Sequence, residues 1–365
     1  MNAARQEPLR VLVVDDSAYN RQTIIGLLQA RPSLEVVGRA ADGEEALREA
    51  LRLKPDAITL DLEMPRMDGF TFLRILMSRQ PTPVIVISSY ANQDNVFKAL
   101  ELGALDFIAK PTLRVSAELN TIGDELAAKI ELVRQLRPAR PAAPQVEPAR
   151  LPAAVPAPGR PPDALPAGLV VIGASTGGPP ALQALFQSVS WDLPLAYLVA
   201  QHMPATFTRA FAERLDRCLG LGVAEASGGE CLEAGRVYVA PGGADLAVVH
   251  QAGSWAAEIR PARPGAKFVP AIDVLFNTAA EVAGPRLAAL LLTGMGRDGR
   301  AGIQAVKRAG GLTVAESEDT AVIFGMPREA IASGCVDRVL PQAELAGAVE
   351  RFAAGLHTPD RDPED

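Results

Sequence analysis

Residues 169–178 read Leu-Val-Val-Ile-Gly-Ala-Ser-Thr-Gly-Gly, an apolar strand that runs straight into a glycine-bracketed serine and then into a helical pattern. Strand, sharp turn and helix in immediate succession are the repeating unit of an α/β sheet. The turn puts the Ser175 hydroxyl at the carboxyl end of a strand and beside a helix N-terminus. Free N–H groups and the helix dipole there favour developing negative charge, the setting a nucleophilic serine needs.

Working outward from this turn, one composition shift divides the chain. Residues 138–166 hold ten prolines and eight alanines with no hydrophobic period. Proline at that density blocks helix and sheet and favours extended polyproline II, so the segment reads as a semi-stiff spacer. The expected organisation is a first domain over 1–136, a Pro/Ala linker over 137–166, a second domain over 167–355 and a polar tail over 356–365. The 365 residues, 48% of them hydrophobic, are enough for two or three real cores.

Composition also excludes several classes. The net charge of −7 with no long basic run argues against nucleic acid and anionic membranes as partners, and the acidic second half shows no helix-turn-helix. Cys218, Cys231 and Cys335 are odd in number and widely spaced, which suggests neither a disulfide framework nor a zinc site and fits a reducing cytosol. The N-terminus, Met-Asn-Ala-Ala-Arg-Gln-Glu-Pro, has no apolar core. No run approaches the roughly 18 apolar residues of a membrane span, so the expectation is a cytoplasmic protein, neither exported nor inserted.

The first domain alternates short apolar strands with amphipathic helices. Leu9–Val14, Leu34–Arg39, Asp56–Leu60, Pro83–Ser88 and Leu105–Ile108 are the strand candidates, which predicts a doubly wound, five-stranded parallel sheet. In that architecture the carboxyl strand ends converge on one crevice. Asp15 and Asp16 follow the first strand, Asp61 the third, Ser88 ends the fourth and Lys110 follows the fifth. Three carboxylates in one crevice repel one another unless a hard cation such as Mg²⁺ is shared. Asp61 can then accept a phosphoryl group, with Lys110 and Ser88 on its oxygens. Solvated strand-end caps are the plainer reading of any one of these aspartates; agreement among four strand ends weighs against it.

In the second domain, Gly173-Ala-Ser175-Thr-Gly177 fits the Gly-x-Ser-x-Gly nucleophile turn. Of three histidines, His357 lies in the tail and His250 ends the apolar run Leu246–Val249. His202 ends the strand Leu195–Ala200, on the same side of the sheet as Ser175, and is the better base. The strand Leu287–Thr293 leads into a glycine-rich turn bearing Asp298, the candidate to orient the imidazole. Its plainer role is an N-cap for the helix starting near Arg300. A dehydrogenase reading of the glycine-rich turn fails, since Tyr19, Tyr90, Tyr197 and Tyr238 are followed four residues later by Thr23, Asp94, Gln201 and Gly242, never by lysine. The order Ser175, His202, Asp298 also departs from the Ser, acid, His order of ordinary α/β-hydrolases.

Val-Val-Asp-Asp-Ser at 13–17, Leu-Asp-Leu-Glu-Met-Pro-Arg-Met-Asp-Gly at 60–69 and Ala-Lys-Pro at 109–111 resemble a two-component receiver domain. That resemblance implies Asp61 as phosphoacceptor, Asp15, Asp16, Asp61 and the Glu63 carbonyl as Mg²⁺ ligands, and a cis bond before Pro111. It makes Phe107 either the aromatic that reorients on phosphorylation or plain core. The 172–178 turn, Gln-His-Met-Pro at 201–204, Ala-Pro-Gly-Gly at 240–243, Asp273-Val-Leu-Phe276, Leu-Thr-Gly-Met-Gly at 292–296, Asp298-Gly299 and Phe-Gly-Met-Pro-Arg-Glu-Ala at 324–330 resemble the chemotaxis response-regulator protein-glutamate methylesterases, the CheB family.

The resemblance implies a second doubly wound, mostly parallel α/β domain with a β-hairpin. It implies Ser175 as nucleophile, His202 as base, Asp298 as its orienter and the Met295 N–H as an oxyanion donor, with no cofactor for the hydrolysis. The implied substrate is a glutamyl γ-methyl ester on a chemoreceptor's cytoplasmic domain, some members also deamidating glutamines, and the implied phosphodonor is a histidine kinase. An unphosphorylated receiver packed over the Ser175 crevice would be the expected brake. Two positions depart from the family's frequent residues: Asp245 stands where histidine is common, and Ala271 where serine is. They leave open a methylesterase acting on a receptor-like protein outside chemotaxis, alongside a phosphorylation-controlled binding module without turnover.

Overall fold

The strand–turn–helix succession is realised twice, in two separate units divided near residue 142. The structure, a computed structural model, describes residues 7–88, 93–110, 116–136, 164–220, 222–251 and 253–356. The expected linker falls outside these apart from residues 164–166, as do the expected tail apart from Leu356, and the bond before Pro111.

The first unit runs β1 (Leu9–Val14), α1 (Ala18–Gln29), β2 (Leu34–Ala40), α2 (Gly43–Leu53), β3 (Ala57–Leu60), α3 (Gly69–Arg79), β4 (Val84–Ser88), α4 (Gln93–Glu101), β5 (Asp106–Ala109) and α5 (Ser116–Glu131). Its five strands pair in parallel in the order β2-β1-β3-β4-β5. The central β3 and β4, and β5, are buried along their whole lengths, as strands covered by helices on both faces are, whereas edge strand β2 carries exposed Glu35 and Arg39. Val11, Val13, Ile85, Ile87 and Ile108 form one core with Ile24 and Leu28 of α1. Helix starts follow the sequence: Ser17 caps α1, and the Asp42 carboxylate accepts the N–H groups of Glu44 and Glu45, both at 2.9 Å, to cap α2. Observed strand ends differ from those expected by at most one residue: β1 matches at both ends, and β5 is Asp106–Ala109 where Leu105–Ile108 was expected.

The second unit runs β6 (Gly168–Ala174), α6 (Gly178–Ser188), β7 (Leu195–Gln201), α7 (Ala205–Leu219), β8 (Val223–Glu225), β9 (Val237–Val239), β10 (Ala244–Gln251), β11 (Ser254–Pro261), α8 (Ile272–Ala283), β12 (Leu287–Leu291), α9 (Arg300–Arg308), β13 (Leu312–Glu316), α10 (Met326–Ile331), β14 (Arg338–Leu340) and α11 (Gln342–Gly355). Seven strands pair in parallel in the order β14-β13-β12-β6-β7-β9-β8, and β10 and β11 form the antiparallel hairpin. The chain winds outward from β6 through β7 on one side and later through β12 on the other. The crevice between these crossovers, at the carboxyl ends, is where such sheets bind ligands. Beneath it, β6, β7 and β12 are buried along their whole lengths, and Leu275, Phe276 and Ile303 of α8 and α9 seal one face.

Candidate active site

Ser175 is the first residue after β6, half-buried at the tip of the turn. Gly177 caps α6 with φ of +79°, a left-handed backbone that glycine adopts without strain. The turn is pinned from three directions. Ser175 N–H donates to the Thr293 carbonyl at 3.0 Å, Gly178 N–H returns to the Ser175 carbonyl at 2.7 Å, and Gln201 Nε2 reaches the same carbonyl at 3.0 Å. The nucleophile candidate therefore stands on a backbone tied to the neighbouring strand end and to the loop beyond β12.

The register of β6 against β7 pairs Ala174 with Gln201, so Ser175 and His202 follow matched residues on adjacent strands. His202 N–H donates to the Ala174 carbonyl at 3.0 Å, which fixes the backbone under the imidazole. The side chain is nearly buried, and its Nε2 lies 2.8 Å from Asp298 Oδ2. Its Nδ1 is buried and has no hydrogen-bond partner among the described residues. With Nε2 engaged by a carboxylate, the basic lone pair resides on Nδ1, the ring nitrogen left for a serine proton. The competing histidine, His250, lies exposed on the hairpin opposite Trp255, outside the seven-stranded sheet.

Asp298 is not the N-cap of the helix after it: that position is taken by Gly299 with its left-handed backbone. Asp298 Oδ1 accepts Gly299 N–H and Asp273 N–H, both at 3.0 Å, and Oδ2 accepts Ile272 N–H at 2.8 Å. These last two are the opening N–H groups of α8, twenty-five residues away in sequence. Burial alone would raise the Asp298 carboxyl; the bond and charge of His202 and the backbone donors outweigh it and hold it below the usual carboxylate range. Next to it, Asp273 is raised by burial and by the Asp298 charge, while accepting Gly302 N–H at 2.7 Å.

The turn around Met295 is equally constrained. Gly294 N–H donates to Ile323 O at 3.0 Å, and the Gly294 carbonyl accepts Gly325 N–H at 3.1 Å and Met326 N–H at 2.8 Å. Among the described residues, Met295 N–H goes to no backbone carbonyl, so the expected oxyanion donor is left out of backbone pairing. Below it, Thr293 N–H donates to Glu316 Oε2 at 2.8 Å, and Thr293 Oγ1 donates to the Thr176 carbonyl at 2.9 Å while accepting Ile323 N–H at 2.9 Å. Glu316, also bound by Thr320 Oγ1 at 3.0 Å, is raised by burial.

In the first unit the carboxylates of Asp15, Asp16 and Asp61 offer oxygens all within 4.8 Å of one another. Asp15 is raised chiefly by burial, against the pull of Lys110, and further by Asp61. Its Oδ2 is buried without a hydrogen-bond partner, although Lys110 Nζ stands 3.3 Å away. Lys110 is hydrogen-bonded to Asp61 Oδ2; burial pulls Lys110 down, but its bonds and proximity to the two aspartates raise it on balance. An all-oxygen acidic set with an unsatisfied oxygen suits Mg²⁺. Glu63 N–H donates to Asp61 Oδ1 at 3.2 Å, and Lys110 N–H donates to the carbonyl of buried Ser88 at 2.7 Å. Phe107 is buried edge-on against Phe97, 6.4 Å between ring centres.

Residues 170–349 match the family described as CheB methylesterase, and residues 11–118 match the response regulator receiver domain. A protein-glutamate methylesterase/protein-glutamine glutaminase of Anaeromyxobacter dehalogenans is 50% identical over 366 residues, covering 97% of this chain and 99% of that relative. The chain belongs to the CheB methylesterase family. A relative of the same description from Myxococcus xanthus is 47% identical, over 94% of this chain and 97% of its own. The crystal structure of the Thermotoga maritima CheB methylesterase catalytic domain is 38% identical, covers 51% of this chain and 97% of its own, and superposes with a TM-score of 0.49.

The two departures from frequent CheB residues meet each other. Ala271 N–H donates to Oδ1 of buried Asp245 at 2.8 Å. Ala271, the residue before α8, has no side chain to cap it, and the helix start is held instead by Asp298 and Asp245. Sequence reasoning did not single out Gln201, Thr293, Glu316, Asp273 or Phe268 as site residues. Gln201, Asp273 and Thr293 lay inside motifs that carry the CheB resemblance, whereas Glu316 and Phe268 carried no local signal.

Proposed function

We propose that this CheB-family chain is a phosphorylation-regulated protein-glutamate methylesterase that hydrolyses glutamyl γ-methyl esters on the cytoplasmic domain of a chemoreceptor to glutamate and methanol, in chemotaxis adaptation. The observation that carries the reading is the 2.8 Å bond from His202 Nε2 to Asp298 with Nδ1 left unpaired, on the strand end beside Ser175. Ser175 Oγ attacks the γ-carbonyl carbon while His202 Nδ1 takes its proton. Asp298, held ionised, stabilises the imidazolium that forms and keeps the ring in place. The oxyanion is received by Met295 N–H, a contribution of about 3–4 kcal/mol to lowering the barrier. Collapse expels methanol with the proton returned from Nδ1. Water then attacks the acyl-enzyme, giving a proton to the same nitrogen, and the acyl–oxygen bond breaks as that proton passes to Ser175 Oγ, releasing glutamate and restoring the serine.

A primary amide differs from the ester only in its leaving group, so the same steps release ammonia from glutamine; the double description of the relatives favours this second activity. In the receiver, Asp61 accepts the phosphoryl group of a histidine kinase, and Lys110 and Ser88 hold its oxygens. Asp15, Asp16, Asp61 and the Glu63 carbonyl would hold Mg²⁺, which when bound neutralises the oxygens of the incoming phosphoryl group. No described helix is long and apolar enough to cross a membrane, and we place the reaction in the cytoplasm, where the receptor's methylated helices lie. The test is methanol release from a methylated receptor cytoplasmic fragment by wild type and Ser175→Ala, each with and without a small phosphodonor and Mg²⁺. Release that needs Ser175 and rises with phosphodonor supports the reading; release unaffected by Ser175→Ala overturns it.

A further inference from the structure

Phe268 lies in the irregular segment between β11 and α8, outside every motif that identifies the family. Its ring nonetheless stacks on the His202 imidazole, with centroids 4.6 Å apart and planes within 2° of parallel. On the Met295 turn, a Cβ at Gly296 would meet the Phe268 Cζ at 3.6 Å and Cε2 at 3.7 Å, an ordinary contact distance. The ring is thus pressed against the imidazole while its edge is near the turn that carries Met295 and leads to Asp298. Lys267 Nζ also stands over it, 5.3 Å from the ring centre.

An imidazole hydrogen-bonded through one nitrogen keeps one rotational freedom, a tilt about its bond to Cβ and the axis through that hydrogen bond. Asp298 fixes where Nε2 sits but cannot by itself fix the plane of the ring, and the plane decides where the Nδ1 lone pair is aimed. A parallel aromatic face removes that tilt, since any rotation drives the two rings into each other or opens a gap that forfeits their contact. We propose that Phe268 is a positioning residue of the hydrolytic site: it holds the His202 plane so that Nε2–H stays on Asp298 and the unpaired Nδ1 keeps one orientation in which to take the serine proton. This rests on the reading of His202 as the base for Ser175.

The test uses the full chain with Phe268→Leu, Phe268→Tyr and Phe268→Trp. With only three histidines in the chain, the His202 ring signals can be assigned with a His202→Gln control. In wild type, ring ¹⁵N shifts are expected to show a single Nε2–H tautomer, and the ring protons to be displaced by the Phe268 ring current. In Phe268→Leu the displacement disappears and the ¹⁵N shifts move toward tautomer averaging. In the methanol-release assay kcat falls about tenfold, an added barrier of about 1.4 kcal/mol, with KM within about twofold. Phe268→Tyr and Phe268→Trp restore both readouts, which a lost volume alone would not require of the larger rings.

Unchanged ¹⁵N shifts in Phe268→Leu overturn the proposal whatever the assay gives. So does a rise in KM at constant kcat, which would make Phe268 a wall for substrate. Failure of wild type to release methanol, with the His202 signals behaving as expected, overturns the substrate assignment and leaves the positioning role standing on the spectra.

Discussion

A Cβ placed on Gly294 would lie 2.6 Å from the Cβ of Ser175. The turn after β12 therefore abuts the side chain of Ser175, the proposed nucleophile, at a position where nothing larger than hydrogen fits, and the Met326 side chain would lie 2.8 Å from the same Cβ. Gly294→Ala must push the two turns apart. Overpacking of this kind costs about 1–3 kcal/mol, measurable by urea unfolding. Because the same displacement moves Met295 relative to Ser175, methanol release is expected to fall by about tenfold or more, a barrier increase of about 1.4 kcal/mol.

Asp298→Asn separates charge from shape. An amide at this position keeps an acceptor for the α8 N–H groups but loses the fixed ionised partner of Nε2, and kcat is expected to fall by roughly 10³ to 10⁴. The carboxyl is depressed below its ordinary 3.8 in the folded chain. Its stabilising contribution is therefore complete above the unfolded value and is lost as pH falls through the folded one. Unfolding free energies compared along a pH series should show wild type ahead of the variant at neutral pH and the gap closing in acid.

Glu316 has the opposite sign. Burial raises its carboxyl above the ordinary 4.5, so the ionised form is disfavoured in the folded chain, and stability declines as pH rises from the unfolded value through the folded one. Glu316→Gln keeps an oxygen for Thr293 N–H without the charge. It should match or exceed wild-type stability at neutral pH and flatten the acid-side dependence, with activity preserved. Glu316→Ala leaves Thr293 N–H buried without its acceptor, a loss of about 1–3 kcal/mol, and loosens the carbonyl that holds Ser175. Chemical denaturation of both variants against pH checks the pair.

In the receiver, Asp61→Asn should abolish stimulation by phosphodonor while leaving basal methanol release intact. Asp15→Asn should weaken Mg²⁺ binding measured by titration calorimetry. Since burial raises Asp15, a proton competes with the metal, and wild-type Mg²⁺ affinity should strengthen as pH rises from acid toward neutral. Affinity independent of pH over that range would remove Asp15 from the ligand set.

How much of this could be read in the sequence depended on distance along the chain. The five strands of the first unit were legible to within a residue, because apolar runs encode them locally, whereas in the second unit the expected strand Leu287–Thr293 ends two residues earlier, at Leu291, and the short β8, β9, β13 and β14 gave no run to read. Ser175, His202 and Asp298 could be singled out as candidates because each follows an apolar strand. The plainer reading of Asp298, an N-cap for the helix after it, does not hold, since Gly299 takes that position; the helix it serves is α8, whose Ile272 and Asp273 reach it through the tertiary fold. Phe268 was invisible for the same reason, since its partner lies sixty-six residues upstream and an aromatic in an irregular loop has no periodicity to betray it. Glu316 ends β13 with no local signal of a role, and only the register of β12 against β13 brings it under Thr293.

The carboxylate that steadies His202 is also the one that terminates α8. Assembly of the reactive centre is thereby made inseparable from the docking of a helix that contributes no reacting group. Fraying of the first turn of α8 would free Asp298 to swing away, extinguishing hydrolysis while the seven-stranded sheet remained intact. With Asp298 in its proposed role, catalytic rate would track a local folding equilibrium, and amide exchange at Ile272 and Asp273 would report the same opening that turnover feels.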